Sequence, residues 1–252
     1  MLKNIVFQTG LLKYLDDSLY SIAEGFYFTS CYQPNRMSTE SQKPKHMIKH
    51  VAVAGNIGAG KTTLSTQLAR HFGWEVHYED TTNNPYLSDF YDDMQRWSFN
   101  LQIYFLNSRY QQILHIRNGD KTVIQDRTIF EDAYIFAPNL HEMGLMGRRD
   151  FENYFTLFKN MSTQVSPPDL LIYLQASIPT LVKHIHNRGR TYEGSMSLDY
   201  LKRLNQKYDD WIENYREGPL LIINADDMDF EKNAEDLGKI IALIDSQIHG
   251  LF

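Results

Sequence analysis

The sequence predicts an α/β protein in which helices flank a five-stranded parallel sheet. From Ile48 onward, short apolar runs alternate with longer helical patterns. A glycine-rich segment joins the first apolar run to the first helical pattern, and polar residues follow several of the later runs. Ligands of open α/β sheets bind beyond the carboxyl ends of the strands. We therefore expect the functional residues to meet at that edge of the sheet.

The predicted strands are short apolar runs, and the predicted helices are longer segments with apolar residues three and four apart. The strands cover 48–54, 74–78, 121–125, 169–174 and 219–223. The helices cover 61–72, 98–117, 128–143, 149–163, 178–187, 197–215 and 232–247.

Composition limits the class of protein. With 252 residues, 42% of them hydrophobic, the chain can bury one substantial core, which favours one α/β domain over two. The formal net charge of −6 argues against a non-specific nucleic-acid binder. Cys31 is the single cysteine, so neither an internal disulfide nor a cysteine-built zinc site can form, and a reducing cytoplasmic setting is expected. No apolar stretch has the length that a membrane crossing requires.

The first 46 residues differ from the rest of the chain. They end in a polar stretch over 38–45, just before Met47 and the first predicted strand. Both Met37 and Met47 are plausible start sites. We interpret 1–46 as an N-terminal appendage and 47–252 as the functional domain. The alternative is that 1–46 forms a regulatory or oligomerising arm.

Residues 55–62 read Gly-Asn-Ile-Gly-Ala-Gly-Lys-Thr, a complete phosphate-binding loop between a buried strand and a helix. Its glycines allow several N–H groups to point at an anion, and the following helix presents its positive end to the same anion. Lys61 would reach the β- and γ-phosphates, and the hydroxyl of Thr62 would bind Mg²⁺. This loop predicts a site for a nucleoside triphosphate. The residues assigned to it are Gly55, Asn56, Ile57, Gly58, Ala59, Gly60, Lys61, Thr62 and Thr63.

Carboxylates follow two other predicted strands. Glu79 follows the second strand, where it could accept the proton of a hydroxyl that attacks the nucleotide. Asp80 comes next and is the alternative base. Asp126 follows the third strand, where it could hold Mg²⁺ opposite Thr62. The histidines, by contrast, show no metal-ligand spacing along the chain.

Several motifs occur together in an order that resembles the deoxynucleoside kinase family, and most closely its bacterial deoxyadenosine/deoxyguanosine kinases. The resemblance covers roughly residues 48 to 245. Besides the phosphate loop, it rests on Tyr78-Glu79, Asn84-Pro85-Tyr86-Leu87, Tyr91 through Phe99, Gln102 through Arg109, Asp126-Arg127-Thr128 and Arg188 through Glu193. The resemblance implies the fold of the P-loop kinases, with a mobile arginine-rich lid, and an ATP- and Mg²⁺-dependent phosphorylation of deoxynucleosides.

The resemblance also implies individual roles. Glu79 would be the general base, and Arg127 would help to hold the reacting groups. Arg188 and Arg190 of the lid would contact the triphosphate. The deoxynucleoside would be bound by Tyr91, Gln102, Arg109, Asp132 and Glu193, with Glu193 on the sugar 3′-hydroxyl. Asp229 and Phe230 would lie near the adenine of ATP. Candidate aromatic residues around the acceptor base are Trp97, Phe99, Tyr104, Phe130 and Phe136.

Within the family, the pair of Arg109 and Asp132 resembles members that accept purine deoxynucleosides or deoxycytidine. Deoxyadenosine is therefore the first expected substrate, followed by deoxyguanosine or deoxycytidine, and the resemblance also suggests a homodimer. A nucleoside monophosphate kinase of the thymidylate kinase type is an alternative, although it would need a further cationic site for the acceptor's phosphate. A second alternative, a non-catalytic nucleotide-binding module, would leave Glu79 and the lid arginines without a role.

Overall fold

The computed structural model describes residues 48–79, 81 and 83–250. The predictions for the appendage 1–46 and for Asp80 therefore concern positions outside the described residues. In the described part of the chain, no helix combines the length and the apolar character that a membrane crossing needs.

The sheet has five parallel strands, as the sequence predicted. They are β1 (His50–Gly55), β2 (Glu75–His77), β3 (Val123–Asp126), β4 (Leu170–Gln175) and β5 (Leu220–Asn224). Their order across the sheet is β2-β3-β1-β4-β5, so β1 lies in the centre and β2 at one edge. In the register, Val51 lies between Ile124 on one side and Leu170 on the other. The phosphate loop thus leaves the middle of the sheet, with β3 and β4 on either side.

Helices connect and cover these strands. They are α1 (Lys61–Phe72), α2 (Leu87–Asp92), α3 (Met94–Asn118), α4 (Ile129–Glu131), α5 (Ala137–Glu142), α6 (Arg148–Ser162), α7 (Ile178–Arg188), α8 (Leu198–Glu213) and α9 (Ala234–His249). A π turn over Asp132–Phe136 joins α4 to α5, and a 3₁₀ turn over Thr191–Ser195 follows α7.

Hydrophobic clusters are buried on both faces of the sheet. Successive side chains of a strand point to opposite faces. Accordingly, Val51 and Val53 of β1 belong to one cluster, whereas Ala52 and Ala54 belong to the other. Strands buried on both faces are near-continuous apolar runs, which explains why the strand positions could be predicted from the sequence.

Two differences from the predicted elements place residues of the site. Helix α2 was not predicted, because it has only six residues and follows Pro85 in a turn-like segment. It is held by burial of Leu87, Phe90 and Tyr91 on one face. The predicted helix over 128–143 contains the π turn, in which Ala137 donates to the carbonyl of Asp132. Pro138 has no N–H to give to the carbonyl four residues earlier, and its ring crowds that carbonyl, so the turn widens.

Candidate active site

A cavity of about 1120 Å³ opens where residues follow the carboxyl ends of β1, β2, β3 and β5. Most of the predicted site residues line it: Ile57, Gly58, Gly60, Lys61, Thr62, Thr63, Glu79, Tyr91, Gln102, Arg127, Asp132, Arg188, Arg190, Glu193, Asp229 and Phe230. The remaining predicted residues are absent from the lining but are buried next to residues that form it: Gly55, Asn56, Ala59, Arg109 and Asp126. One cavity therefore receives side chains from segments far apart in sequence.

The phosphate loop is held tightly by its surroundings. Gly58 has a φ of +86°, and a Cβ at this position would lie 2.7 Å from the carbonyl oxygen of Leu181, so only glycine fits. The side-chain amide of Asn56 donates to the carbonyl of Leu201 and to Asn205, both on α8, at 3.1 and 3.0 Å. Asn56 therefore ties the loop to α8, while the backbone of the loop faces the cavity.

Lys61 lies at the base of the loop and is buried. Its Nζ donates to the carbonyl of Asn56 at 3.0 Å. Burial, followed by the positive charge of Arg127, lowers the pKa of Lys61 to about 8 even though nearby carboxylates raise it. The nearby carboxylates thus balance only part of the positive charge of the ammonium group, which lies where phosphates would bind.

Thr62 and Asp126 lie together as predicted for a metal site. The Thr62 hydroxyl donates to Oδ2 of Asp126 at 2.5 Å. The other oxygen, Oδ1, is buried and has no hydrogen-bond partner among the described residues. A hydroxyl and a carboxylate oxygen are ligands that Mg²⁺ accepts, so the donor set fits this ion.

Glu79 lines the cavity, and two arginines contact it. Arg109 Nη2 lies 2.7 Å from Glu79 Oε1, and Arg127 Nη1 lies 3.4 Å from the same oxygen. Burial alone would raise the pKa of Glu79, but the charges of Arg127, Arg109 and Lys61 outweigh it and lower the pKa to about 2. Glu79 is therefore ionised, and it is a weak proton acceptor while both arginines are in contact.

Arg127 has an unusual backbone. Its φ of 74° lies in the left-handed region, which non-glycine residues seldom adopt. The guanidinium also lies over the ring of Phe136, 4.4 Å from its centroid, and Nη2 donates to the carbonyl of Gly55 at 3.4 Å. Such strain persists only where surrounding contacts impose it, and it clusters at functional sites.

The predicted nucleoside pocket adjoins Glu79. Arg109 Nε lies 3.2 Å from Asp132 Oδ2, so one guanidinium joins Asp132 to Glu79. Burial raises the pKa of Asp132 to about 7 against the opposing charge of Arg109. Gln102 lines the same region with its side chain almost fully buried, and its Oε1 has no hydrogen-bond partner among the described residues. A polar ligand in this pocket would satisfy that oxygen.

The predicted lid residues form a cluster of charges at the cavity rim. Arg188 Nη2 lies 2.6 Å from Glu193 Oε1, and Arg190 Nη1 lies 3.6 Å from the same atom. Glu193 is buried, whereas both arginine side chains remain about one-third exposed, at 34% and 33%. Tyr192, between them, stacks on Tyr91 of α2 with ring centroids 5.5 Å apart. The segment thus contacts α2, although the sequence pattern did not predict that helix.

The loop after β5 and helix α7 also line the cavity. Phe230 is buried, and its ring packs so closely on Gly60 that a Cβ there would lie 3.0 Å from the ring. Asp229 stays in the loop, where its carbonyl accepts from the N–H groups of Lys232 and Asn233. His184 of α7 donates from Nδ1 to the carbonyl of Gly58 at 2.8 Å. This histidine therefore supports the phosphate loop.

The aromatic residues around the pocket are partly different from those expected. Phe136 lines the cavity, together with Phe90 and Phe105, which the sequence did not single out. Phe130 belongs to the hydrophobic core. Phe99 and Tyr104 line a separate groove of about 300 Å³ on α3. Aromatic residues on helices are usually core residues, and sequence alone does not indicate which of them face a cavity.

Glu131, which was not among the predicted site residues, is fully buried beside the loop. It accepts from the N–H of Thr128 at 2.7 Å and from the hydroxyl of Tyr208 at 2.8 Å, and it lies 3.4 Å from the N–H of Gly55. Thr128 and Glu131 form a capping box at the start of α4. The spacing Thr-x-x-Glu is the signal that could have identified this residue.

The chain is similar to known proteins in both sequence and structure. A family model described as deoxynucleoside kinase matches residues 51–249. The deoxyadenosine/deoxycytidine kinase of Bacillus subtilis (strain 168) is 37% identical over 212 residues, which cover 83% of this chain and 97% of that protein. The deoxyadenosine kinase of Lactobacillus acidophilus is 37% identical over 211 residues, which cover 80% of this chain and 97% of that protein.

The solved structures include the deoxyadenosine kinase of M. mycoides with bound dATP. It superposes with a TM-score of 0.70 at 28% sequence identity and covers 78% of this chain and 99% of its own. The family match spans most of the chain, and residues of the phosphate loop line one cavity together with Glu79, beyond the ends of the parallel strands. This chain belongs to the deoxynucleoside kinase family.

Proposed function

We propose that this protein transfers the γ-phosphoryl group of ATP to the 5′-hydroxyl of a deoxynucleoside, with Glu79 as the general base. The observation that carries the proposal is the position of Glu79. It lies in one cavity with the phosphate loop and with the buried polar pocket of Gln102 and Asp132. A base between a phosphate site and an acceptor site is the arrangement that phosphoryl transfer to a hydroxyl requires.

The charges of the cavity suit a transferring phosphoryl group. The loop N–H groups and Lys61 would hold the β- and γ-phosphates, and Arg127 would stabilise charge that develops on the γ-phosphoryl oxygens. Arg188 and Arg190 would reach the same phosphates from the lid, since both retain exposed surface at the cavity rim. The planar forks of arginine donate to phosphate oxygens in pairs.

Thr62 and Asp126 would hold Mg²⁺ next to these phosphates. Oδ1 of Asp126 supports this assignment, because it has no partner in the part of the chain that the structure describes, and a buried carboxylate oxygen without a partner is costly. Mg²⁺ held by these two residues would neutralise part of the charge of the phosphates.

Arg109, one of the two arginines that contact Glu79, would connect the binding of the nucleoside to the proton affinity of Glu79. A carboxylate with a pKa of about 2 accepts a proton poorly, and general bases work best with a pKa near the working pH. An acceptor base that hydrogen-bonds to Arg109 would compete with Glu79 for this guanidinium. Glu79 would then become more basic when the nucleoside arrives.

Deoxyadenosine is the proposed first substrate, followed by deoxyguanosine or deoxycytidine. Gln102 can pair bidentately with adenine, and no residue that the structure describes occupies its Oε1. The adjoining Arg109 and Asp132 are both buried, so an acceptor that leaves them unmatched loses about 1–3 kcal/mol for each unsatisfied group.

ATP consumption with deoxyadenosine, deoxyguanosine, deoxycytidine, thymidine and the four corresponding monophosphates tests the activity and its alternatives. We expect the nucleosides to be phosphorylated and the monophosphates to be inert. Faster turnover of a monophosphate would instead establish a nucleoside monophosphate kinase, and ATP binding without turnover would establish a binding module.

The double variant Arg109→Met/Asp132→Ala tests the base preference separately. It should weaken the use of purine deoxynucleosides and relax the discrimination against thymidine, as measured by the ratio of kcat/KM values. If the unaltered protein uses thymidine best of the four, the proposed pocket is wrong while the kinase assignment stands.

We propose further that the enzyme is a cytoplasmic homodimer. The family resemblance supports the dimer, and the single cysteine is compatible with a reducing compartment. Light scattering after size-exclusion chromatography would give twice the chain mass of 29.5 kDa for the dimer.

A further inference from the structure

Three potential metal ligands from two separate segments of the chain meet outside the active-site cavity. Glu75 and His77 lie on the edge strand β2, and His115 lies near the end of α3. One ligand atom from each residue lies within 4.8 Å of the others. The spacing Glu-x-His could have suggested a shared face, because residues two apart on a strand point the same way. His115 lies on a distant helix, so no spacing along the chain connects it to this pair.

We propose that Glu75, His77 and His115 form a second metal site, which binds a transition metal ion of the Zn²⁺ type. Two imidazoles and one carboxylate are a ligand set that Zn²⁺ commonly takes, with a water molecule in the fourth position. Oxygen-rich sites suit Mg²⁺, whereas imidazole nitrogens favour Zn²⁺ and related ions. The two sites therefore differ in the metal that they select.

The distances between the ligand atoms support a tetrahedral ion. His77 Nε2 lies 3.3 Å from Glu75 Oε1, and His115 Nε2 lies 3.4 Å from the same oxygen. Bonds of about 2.0–2.1 Å from a tetrahedral Zn²⁺ hold neighbouring ligand atoms about 3.3–3.4 Å apart. The rings of His77 and His115 have centroids 5.0 Å apart. Rotation of the exposed His115 side chain can therefore bring its ligand nitrogen to a similar distance from the ligand nitrogen of His77.

The cluster is open to solvent. His115 has 60% of its side chain exposed, which leaves a route for the ion to enter from solvent.

A bound ion would join β2 to α3. Strand β2 has three residues, lies at the sheet edge and pairs with β3 alone in the described sheet. It leads directly to Glu79, while α3 carries Gln102 and Arg109. The ion would therefore brace the two elements that hold the proposed base and the proposed acceptor pocket.

Zn²⁺ titration of the full chain, stripped of metal and kept in excess Mg²⁺, tests this site. Calorimetry should show an ion bound by the unaltered protein, and His115→Ala and Glu75→Gln should each lower the affinity at least tenfold. His71→Ala is the matched control, because His71 is also an exposed helical histidine but lies outside the cluster. It should bind Zn²⁺ like the unaltered protein.

Two further measurements distinguish a metal site from a simple ion pair. Zn²⁺ should raise the Tm of the unaltered protein and of His71→Ala but not that of His115→Ala, whose fold is verified by circular dichroism. Co²⁺ should give the visible absorption of a tetrahedral complex in the same two proteins. The proposal is overturned if Zn²⁺ does not bind, if His115→Ala binds it unchanged, or if His71→Ala loses affinity equally.

Discussion

Glu79 shows how an active-site residue depends on groups that are distant in sequence. Its place after β2 could be predicted, because the carboxyl ends of parallel strands meet at one edge. Its contacts with Arg109 and Arg127 could not, because they depend on where two other elements place long side chains. The sequence therefore identifies the proposed base, whereas its acidity follows only from the folded structure.

Glu79→Gln should reduce kcat by about 10²–10⁴-fold, the usual effect of removing a positioned base. The substitution keeps the shape of the side chain and removes its ability to accept the proton. Steady-state kinetics with deoxyadenosine measure the change, and ATP affinity should be nearly unchanged. Near-native turnover would rule out Glu79 as the base and direct attention to Asp80.

ATP binding should weaken as the pH rises above about 8, because Lys61 loses its proton there in the ligand-free protein. Bound phosphates favour the charged ammonium group, so binding in this range takes up a proton. The dissociation constant of ATP should increase with pH, and the increase should approach about tenfold per pH unit well above pH 8. Calorimetry in buffers of different ionisation enthalpy detects the proton uptake.

Lys61→Met is the matched variant for that measurement. It should bind ATP weakly, lose most of the activity and show no pH dependence of affinity near pH 8. An identical pH dependence in Lys61→Met would mean that a different group titrates.

At the level of elements, a chain of hydrogen bonds joins the sheet to the segment that carries Glu79. His50 Nε2 lies 2.9 Å from Gln125 Oε1, and Gln125 Nε2 donates to Gln112 Oε1 at 2.8 Å. Gln112 Nε2 in turn donates to the carbonyl of Tyr78 at 2.9 Å. Burial lowers the pKa of His50 to about 4, so its ring is neutral and Nε2–H can donate to the amide oxygen. These contacts fix the residue that precedes the proposed base.

Gln112→Ala should lower kcat roughly threefold to tenfold, since one lost hydrogen bond corresponds to about 0.5–1.5 kcal/mol. Because Gln112 is a positioning residue, KM for ATP should stay constant. Gln111→Ala is the control, as Gln111 is the exposed neighbour on the same helix. If Gln111→Ala lost as much Tm and as much kcat as Gln112→Ala, the effect would be a general destabilisation of α3 and the positioning role would be wrong.

The elements that could be predicted are those with a continuous apolar signal. Each of the five strands was predicted to within two residues at either end, and α1 matches its predicted span of 61–72. Helix α3 begins earlier than predicted, at Met94, where Asp93 caps it by accepting from the N–H of Arg96. Helix α2 and the π turn escaped prediction because tertiary packing and a proline determine them. Helix α2 places Tyr91 at the cavity, and the π turn places Asp132 and Phe136 there.

At the scale of the whole molecule, the described residues contain every predicted site residue that the proposed reaction uses. The first described strand begins at His50, shortly after Met47. The predicted appendage contains no motif that would complete the nucleotide site. Its independence from the kinase domain therefore remains a prediction from composition.

A truncated chain that begins at Met47 should stay soluble, dimerise like the full chain and keep its kcat and KM values. Steady-state kinetics of both chains in one assay give the kcat and KM values, and light scattering gives the oligomeric state of each. Loss of activity or of the dimer on truncation would show that 1–46 forms a working arm.

The left-handed backbone of Arg127 has a consequence for the evolution and engineering of this protein. A strained residue of this kind costs about 1–3 kcal/mol, which is a substantial part of the stability of a domain. Glycine would relieve that cost, but it would also remove the guanidinium that faces the buried carboxylates of Glu79 and Glu131. Breaking a buried ion pair costs about 3–5 kcal/mol, so Arg127→Gly should lower both the Tm and the turnover. Heat resistance and catalysis therefore select for the same side chain at this position, and a library that aims at either must leave it unchanged.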